Sequence, residues 1–169
     1  VLVHPPGGLV GGDTLDIGIT AGAGSHGLVT TPGASRFYRS EGELALQRTR
    51  IALAPEARLE WLPLEAICYS GCRAENRITI DARPGAELIG WDLTALGLPN
   101  ASQPFARGLV DQHALRESAG ATSPHAEVVV LRVLAPVVEP AMQLLRQVWL
   151  AWRAESWALR SAPPRIWSM

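Results

Sequence analysis

The chain contains no lysine; all fifteen of its basic residues are arginine. Schiff-base chemistry and a phosphate-loop lysine are therefore excluded within these 169 residues, and the bias also fits the codon usage of a GC-rich genome. Cysteine is nearly absent. Cys68 and Cys72 stand alone, too few for a secreted disulfide framework. No hydrophobic run is long enough to span a bilayer, and no basic-apolar leader opens the chain, so a cytoplasmic location is expected. The formal charge of −1 gives no electrostatic case for nucleic acid or an acidic membrane surface as partner. The four histidines, His4, His26, His113 and His125, have no GxSxG neighbour and no HExxH spacing. The expectation is a protein that is not an enzyme.

What is present begins with His4-Pro5-Pro6-Gly7-Gly8-Leu9-Val10-Gly11-Gly12-Asp13. Such a run cannot propagate a helix or an ordinary strand, because glycine serves close backbone approach and positive φ while each proline removes a donor. It reads as a shaped loop holding Asp13 at a fixed place. The plainer alternative is a turn pair in which Asp13 bonds its own backbone. The chain opens at Val1 inside an apparent strand, without methionine, which reads as a fragment or trimmed product.

A weak repeat organises the first two-thirds. Ile17–Thr20 and Leu28–Thr30 flank a small-residue turn, as do Ile51–Leu53 with Leu59–Leu62, and Ile78–Ile80 with Leu88–Trp91. The turns near 23, 55 and 84 are 32 and 29 residues apart. Repeats of this length point to stacked units that bury apolar faces against one another, although an ordinary sandwich of hairpins fits too. Mainly β structure is expected, as a solenoid-like stack of short strands. Residues 1–110 hold the β repeats, 111–126 read as a polar linker, and 127–134 as one more strand. Met142, Leu145, Val148, Trp149 and Trp152 then recur at three- and four-residue steps. That predicts an amphipathic helix over about 139–159, with Pro140 near its start and Pro163-Pro164 after its end.

Four motifs occur in order: HPPGGLVGGD at 4–13, TTPGASRFYRS at 30–40, LEWLP at 59–63 and PPRIW at 163–167. Together they resemble the UreD family of urease accessory proteins, called UreH in some bacteria. The likeness covers residues 1 to about 109 and about 127 to the end, with 111–126 shorter than the family's pattern. It implies a single domain over 1–169 with an irregular β-helical fold and a helical part. It also implies a non-catalytic maturation factor that binds apo-urease and UreF, and through UreF the nickel-delivering GTPase UreG. An internal water-filled passage would link the GTPase side with urease.

Several residues are candidates for that role. Asp13 ends the glycine loop. Asp92 follows Trp91 and occupies the same repeat position as Thr31, so Asp92 and the Thr30–Ser35 loop are expected to face one interior. With Ser35 and His4 they form a donor set suited to transient Ni²⁺, with no cofactor tightly bound. Isolated oxygen donors attract a divalent cation and release it, whereas His/Cys clusters retain it. Glu60 and Glu65 rank behind them, and Arg36 or Arg39 as an ion-pair partner is the plain explanation for any of these carboxylates. Cys68 and Cys72, at C-x3-C spacing, match no zinc pattern and read as small apolar residues at a turn. On the helix, Trp149, Trp152, Arg153 and Trp157 either cover the sheet or meet a partner, since tryptophan and arginine are enriched at interface hot spots. The alternative to metal conduction is a pure protein–protein scaffold for the activation complex.

Overall fold

The computed structural model describes residues 1–117, 137–160 and 162–168. The chain is mainly β, with one long helix near the C-terminus. It packs as two compact units, Val1–His125 and Ala126–Met169, within the span expected to be one domain.

In the first unit, strands fall in sets of three. They are β1 (Thr14–Ala21), β2 (His26–Thr30) and β3 (Ser35–Phe37); then β4 (Ala45–Leu53), β5 (Arg58–Leu62) and β6 (Ala66–Cys68); then β7 (Arg73–Ala82), β8 (Glu87–Gly90) and β9 (Thr94–Leu98). Each strand of the first two sets pairs in parallel with the strand three places on, giving sheets ordered β1-β4-β7 and β2-β5-β8 and a third joining β3, β6 and β9. A short antiparallel β10 (Gln103–Pro104) flanks β9, and β11 (Leu109–Glu117) pairs in parallel with β7. The sheets are separate, and none closes on itself among the described residues.

The repeat spacing reappears as strand register. Asp16 lies opposite Arg48 and Arg58 opposite Glu87, at separations of 32 and 29 residues. Both registered pairs are ion pairs, with nitrogen–oxygen distances of 2.6 and 2.8 Å. Cross-strand charge pairs of this kind favour one register over a slipped one. The turns stack too: Gly24 N–H donates to Pro55 O, and Glu56 N–H to Pro84 O.

Alternation along β4 buries Ala45, Gln47, Thr49, Ile51 and Leu53 on one side. Ile51 and Leu53 join Ile17, Leu59, Trp61 and Ile78 in one apolar cluster, while Leu9, Phe37, Ala45, Cys68 and Ala74 form a second. The residues between these clusters on the inward face of β4 are polar, and that break positions the site described below.

Two sequence expectations need correction here. Residues 1–3 lie outside any strand, although Leu2 N–H donates to Thr30 O. Asp111–Glu117 are not linker but the greater part of β11. Its polar residues carry no apolar alternation, and backbone pairing to the edge of β7 sets the conformation instead. The rest of the expected linker and the expected strand at 127–134 lie outside the described residues.

The second unit holds α1 (Val138–Trp157), close to the expected span. Pro140 falls in its first turn, where a missing N–H costs nothing, and Glu139 complements the helix dipole. Ala158, at φ 53°, ends it in the left-handed conformation. Trp167 of the tail meets Trp149 edge-on, with ring centroids 5.3 Å apart. Arg146 lies over Trp167 and Arg153 over Trp149.

Candidate functional site

Three stretches converge on one cavity in the first unit. They are the start of the glycine loop, the segment joining β2 to β3, and Asp92, two residues beyond β8. The cavity measures about 190 Å³ and is lined by His4, Thr31, Ser35, Gln47, Trp61 and Asp92 among others. That volume holds about six water molecules at ~30 Å³ each. Thr31 and Asp92 both line it, as their equivalent repeat positions require: Val29 lies opposite Trp61, and Trp61 opposite Gly90.

Asp92 is held from two other strands. Its Oδ2 accepts from Asn76 Nδ2 at 2.9 Å and from Gln112 Nε2 at 3.3 Å. Gln47 Nε2 in turn donates to Asn76 Oδ1 at 3.4 Å. Gln47, Asn76 and Gln112 occupy one register position in β4, β7 and β11, so three neighbouring strands present a row of side-chain amides. Gln112 also donates to Thr94 Oγ1. Area and depth differ at Asp92. The residue is exposed by area, yet its carboxyl lies among strand ends closely enough for desolvation to push its pKa up to about 6.

The lining also carries buried groups without hydrogen-bond partners among the described residues: Trp61 Nε1 as donor and Gln47 Oε1 as acceptor. Arg36 shares the lining but donates to Gly7 O and makes no ion pair with Asp92 among the described residues. The surface is therefore mixed, with a carboxylate, hydroxyls, one amide and an imidazole set between Leu15, Ile17 and Pro63.

Asp13 is elsewhere. It is exposed and does not line the cavity, and its Oδ2 accepts from Val10 N–H at 2.9 Å. The glycine loop does fold back, but onto β3: Leu9 bridges Phe37 and is 1% exposed. The Asp13 carboxylate bonds its own turn, which is the plainer of its two readings. The His4–Ser35–Asp92 grouping stands without it.

The remaining candidates have structural partners. Glu60, fully buried, is bonded at 2.7 Å by His26 Nε2. Glu65 contributes its backbone carbonyl to Ser35 N–H. Cys68 and Cys72 are free and buried. Burial, reinforced by the neighbouring Cys72, pushes the Cys68 thiol up to about 12, and burial raises Cys72 as well, which disfavours the reactive thiolate form. Among the described residues no group of three or more His, Cys, Asp or Glu stands together. On α1, Trp149 and Trp157 are buried, and Trp152 and Arg153 are half-buried. Trp149 packs under the tail's Trp167, so it is an internal contact of this unit rather than a presented surface.

Sequence reasoning missed the amide row. Its signal was available, because Gln47 and Asn76 are separated by 29 residues, the same interval as the turns near 55 and 84.

The family profile described as UreD urease accessory protein matches residues 1–115 and 112–168. A protein of Variovorax paradoxus named urease accessory protein UreD is 60% identical over 231 residues, covering 99% of this chain and 84% of its own length. Relatives of the same name from Polaromonas naphthalenivorans and Methylibium petroleiphilum are 53% and 37% identical, covering 100% and 99% of this chain and 84% and 82% of their own lengths. These alignments are longer than the chain itself, so the relatives carry internal positions without counterpart here, and the two matched segments meet within β11. No helix among the described residues is long and apolar enough to cross a membrane. The chain belongs to the UreD family of urease accessory proteins.

Proposed function

We propose that the chain is a non-catalytic maturation factor that passes nickel, as cargo, through its first unit during assembly of the urease metallocentre. In this reading the strand sets act as successive coils of a solenoid-like stack, and the cavity at His4, Ser35 and Asp92 is a station on a hydrated route. UreF, UreG through UreF, and apo-urease are the partners, in the cytoplasm.

One observation carries the reading: His4, Ser35 and Asp92, distant in sequence, line a single cavity large enough for several waters. The chemistry suits transit. Asp92 already accepts from two amide donors, so an arriving cation meets a carboxylate partly satisfied and binds it weakly. A divalent ion held by one carboxylate, hydroxyls and water exchanges faster than one held by several imidazoles or thiolates. The scaffold alternative draws its support from Asp13, whose carboxylate is satisfied within its own turn.

The test is urease activation at limiting nickel in a strain lacking its own UreD. Asp92→Ala is expected to lose activation several-fold, with the loss narrowing as nickel is raised, while complex formation persists. Activation equal to wild type at limiting nickel removes the passage and leaves the scaffold.

A further inference from the structure

Several arginines of the first unit pair with acids: Arg48 with Asp16 and Arg58 with Glu87 across strands, and Arg77 with Glu75 along one strand. Three others come together instead. Arg39, Arg73 and Arg107 are exposed, have no carboxylate partner among the described residues, and line one open pocket of about 440 Å³. This pocket shares no lining residue with the cavity at Asp92.

The pocket is built by the stacked chain. Ser40 N–H donates to Gly71 O, and Gly71 N–H to Arg107 O, so three successive corners are tied in a row. Ser70 Oγ accepts from the N–H groups of Ala106 and Arg107, fixing the third corner to the second. Beside them, Tyr38 and Tyr69 stack with ring planes 4° apart. Gly71, at φ +85°, lies beneath the Arg39 stem, which a Cβ there would meet at 3.1 Å. Arg73 Nη1 donates to Gly42 O at 2.8 Å, which anchors the middle guanidinium and leaves its other donors free. The rim carries Leu109, 49% exposed, and the lining includes one acid, Glu41.

We propose that Arg39, Arg73 and Arg107 form a docking site for an acidic peptide segment of a protein partner. Guanidinium groups bind carboxylates through paired, charge-assisted hydrogen bonds, and here three line one pocket, with Arg73 anchored on Gly42 O. The wide mouth and the apolar rim at Leu109 fit a peptide that brings a leucine-sized side chain beside its carboxylates. Glu41 in the lining disfavours a compact, highly charged phosphate.

The test uses the full chain and a fluorophore-labelled, end-capped peptide of alternating leucine and glutamate, with its leucine–glutamine counterpart as control. Anisotropy is expected to report binding of the glutamate peptide alone, weakening as salt rises. The double variant Arg39→Gln, Arg107→Gln is expected to weaken it at least ~10-fold, the loss typical of charge-assisted bonds. Arg50→Gln, outside the pocket, is expected to change it less than twofold. Glu41→Gln is expected to tighten binding, a direction that misfolding does not produce. Equal binding of the two peptides, an unaffected double variant, or displacement by inorganic phosphate as effective as by unlabelled peptide overturns the proposal. None of these outcomes bears on the passage, which uses other residues.

Discussion

Asp13 and Asp92 look alike in the sequence, each ending an apolar or glycine-rich run, yet they lie in regions built on different principles. The glycine loop is a local device. Its carboxylate bonds the backbone three residues earlier, and its long-range work is done by Leu9, docked on β3 through Leu9 N–H to Arg36 O and Tyr38 N–H to Leu9 O. The end of β8 is a non-local device. Asp92 is held by Asn76 and Gln112, side chains of β7 and β11 that strand register sets side by side. A conspicuous motif thus tends to satisfy its own polar groups, while a carboxylate set where strands converge is left for distant partners to satisfy.

The strongest way to break this comparison is to damage the loop where it approaches β3. A Cβ at Gly8 would meet Tyr38 Cε2 at 2.4 Å and the Arg36 carbonyl oxygen at 2.9 Å. The Tyr38 ring is stacked on Tyr69, and the carbonyl belongs to the strand backbone, so neither yields without moving the bridge. Gly8→Ala is expected to destabilise the fold by ~1–3 kcal/mol, in the range of overpacked sites. Urea unfolding checks this. A change within experimental scatter means the loop is not docked on β3, and the distinction between the two regions loses its structural basis.

The repeat made the register legible. Turn spacings of 32 and 29 residues predicted the very separations at which Asp16 meets Arg48 and Arg58 meets Glu87. Helix periodicity from Met142 to Trp152 placed α1 to within two residues at its end. The glycine loop's destination was not legible, because its docking rests on two backbone hydrogen bonds that no side-chain pattern encodes. Nor was β11, whose polar residues hide a strand specified by a neighbouring edge. The cavity was half legible: the places of Thr31 and Asp92 follow from repeat arithmetic. The burial of Gln47 at 9% and Asn76 at 5% inverts the usual exposure of amides and emerges only once the strands are stacked.

A second prediction sharpens the comparison at the other carboxylate. Desolvation raises Asp92 to about 6, above its ordinary value of 3.8, so the folded state holds its proton more tightly than the unfolded chain does. The ionised form is therefore a cost to folding above about pH 6, and the cost fades as pH falls toward 4. Asp92→Asn keeps an acceptor for Asn76 and removes the charge. Its melting temperature is expected to exceed wild type at pH 7.5 and to converge with it near pH 4 in paired thermal scans. Water on the open side of Asp92 screens part of the cost, so a rise of a few degrees is the scale, as for about 1 kcal/mol. A variant less stable than wild type at pH 7.5 means the carboxylate is net favourable where it stands.

The smallest effect is expected at Asp13, and its smallness is informative. Asp13→Ala removes one exposed hydrogen bond, Val10 N–H to Oδ2, while Asp13 N–H still donates to Val10 O and Asp13 O still accepts from Leu46 N–H. The turn therefore keeps its backbone closure, and the loss is about 0.5 kcal/mol, the low end for a single intramolecular bond, because this one is exposed. Since Asp13 does not line the cavity, nickel-dependent activation at limiting nickel is expected to match wild type. An Asp13→Ala protein as stable as wild type, yet as defective in activation as Asp92→Ala, would join the two regions in one route and make the exposed carboxylate its entrance.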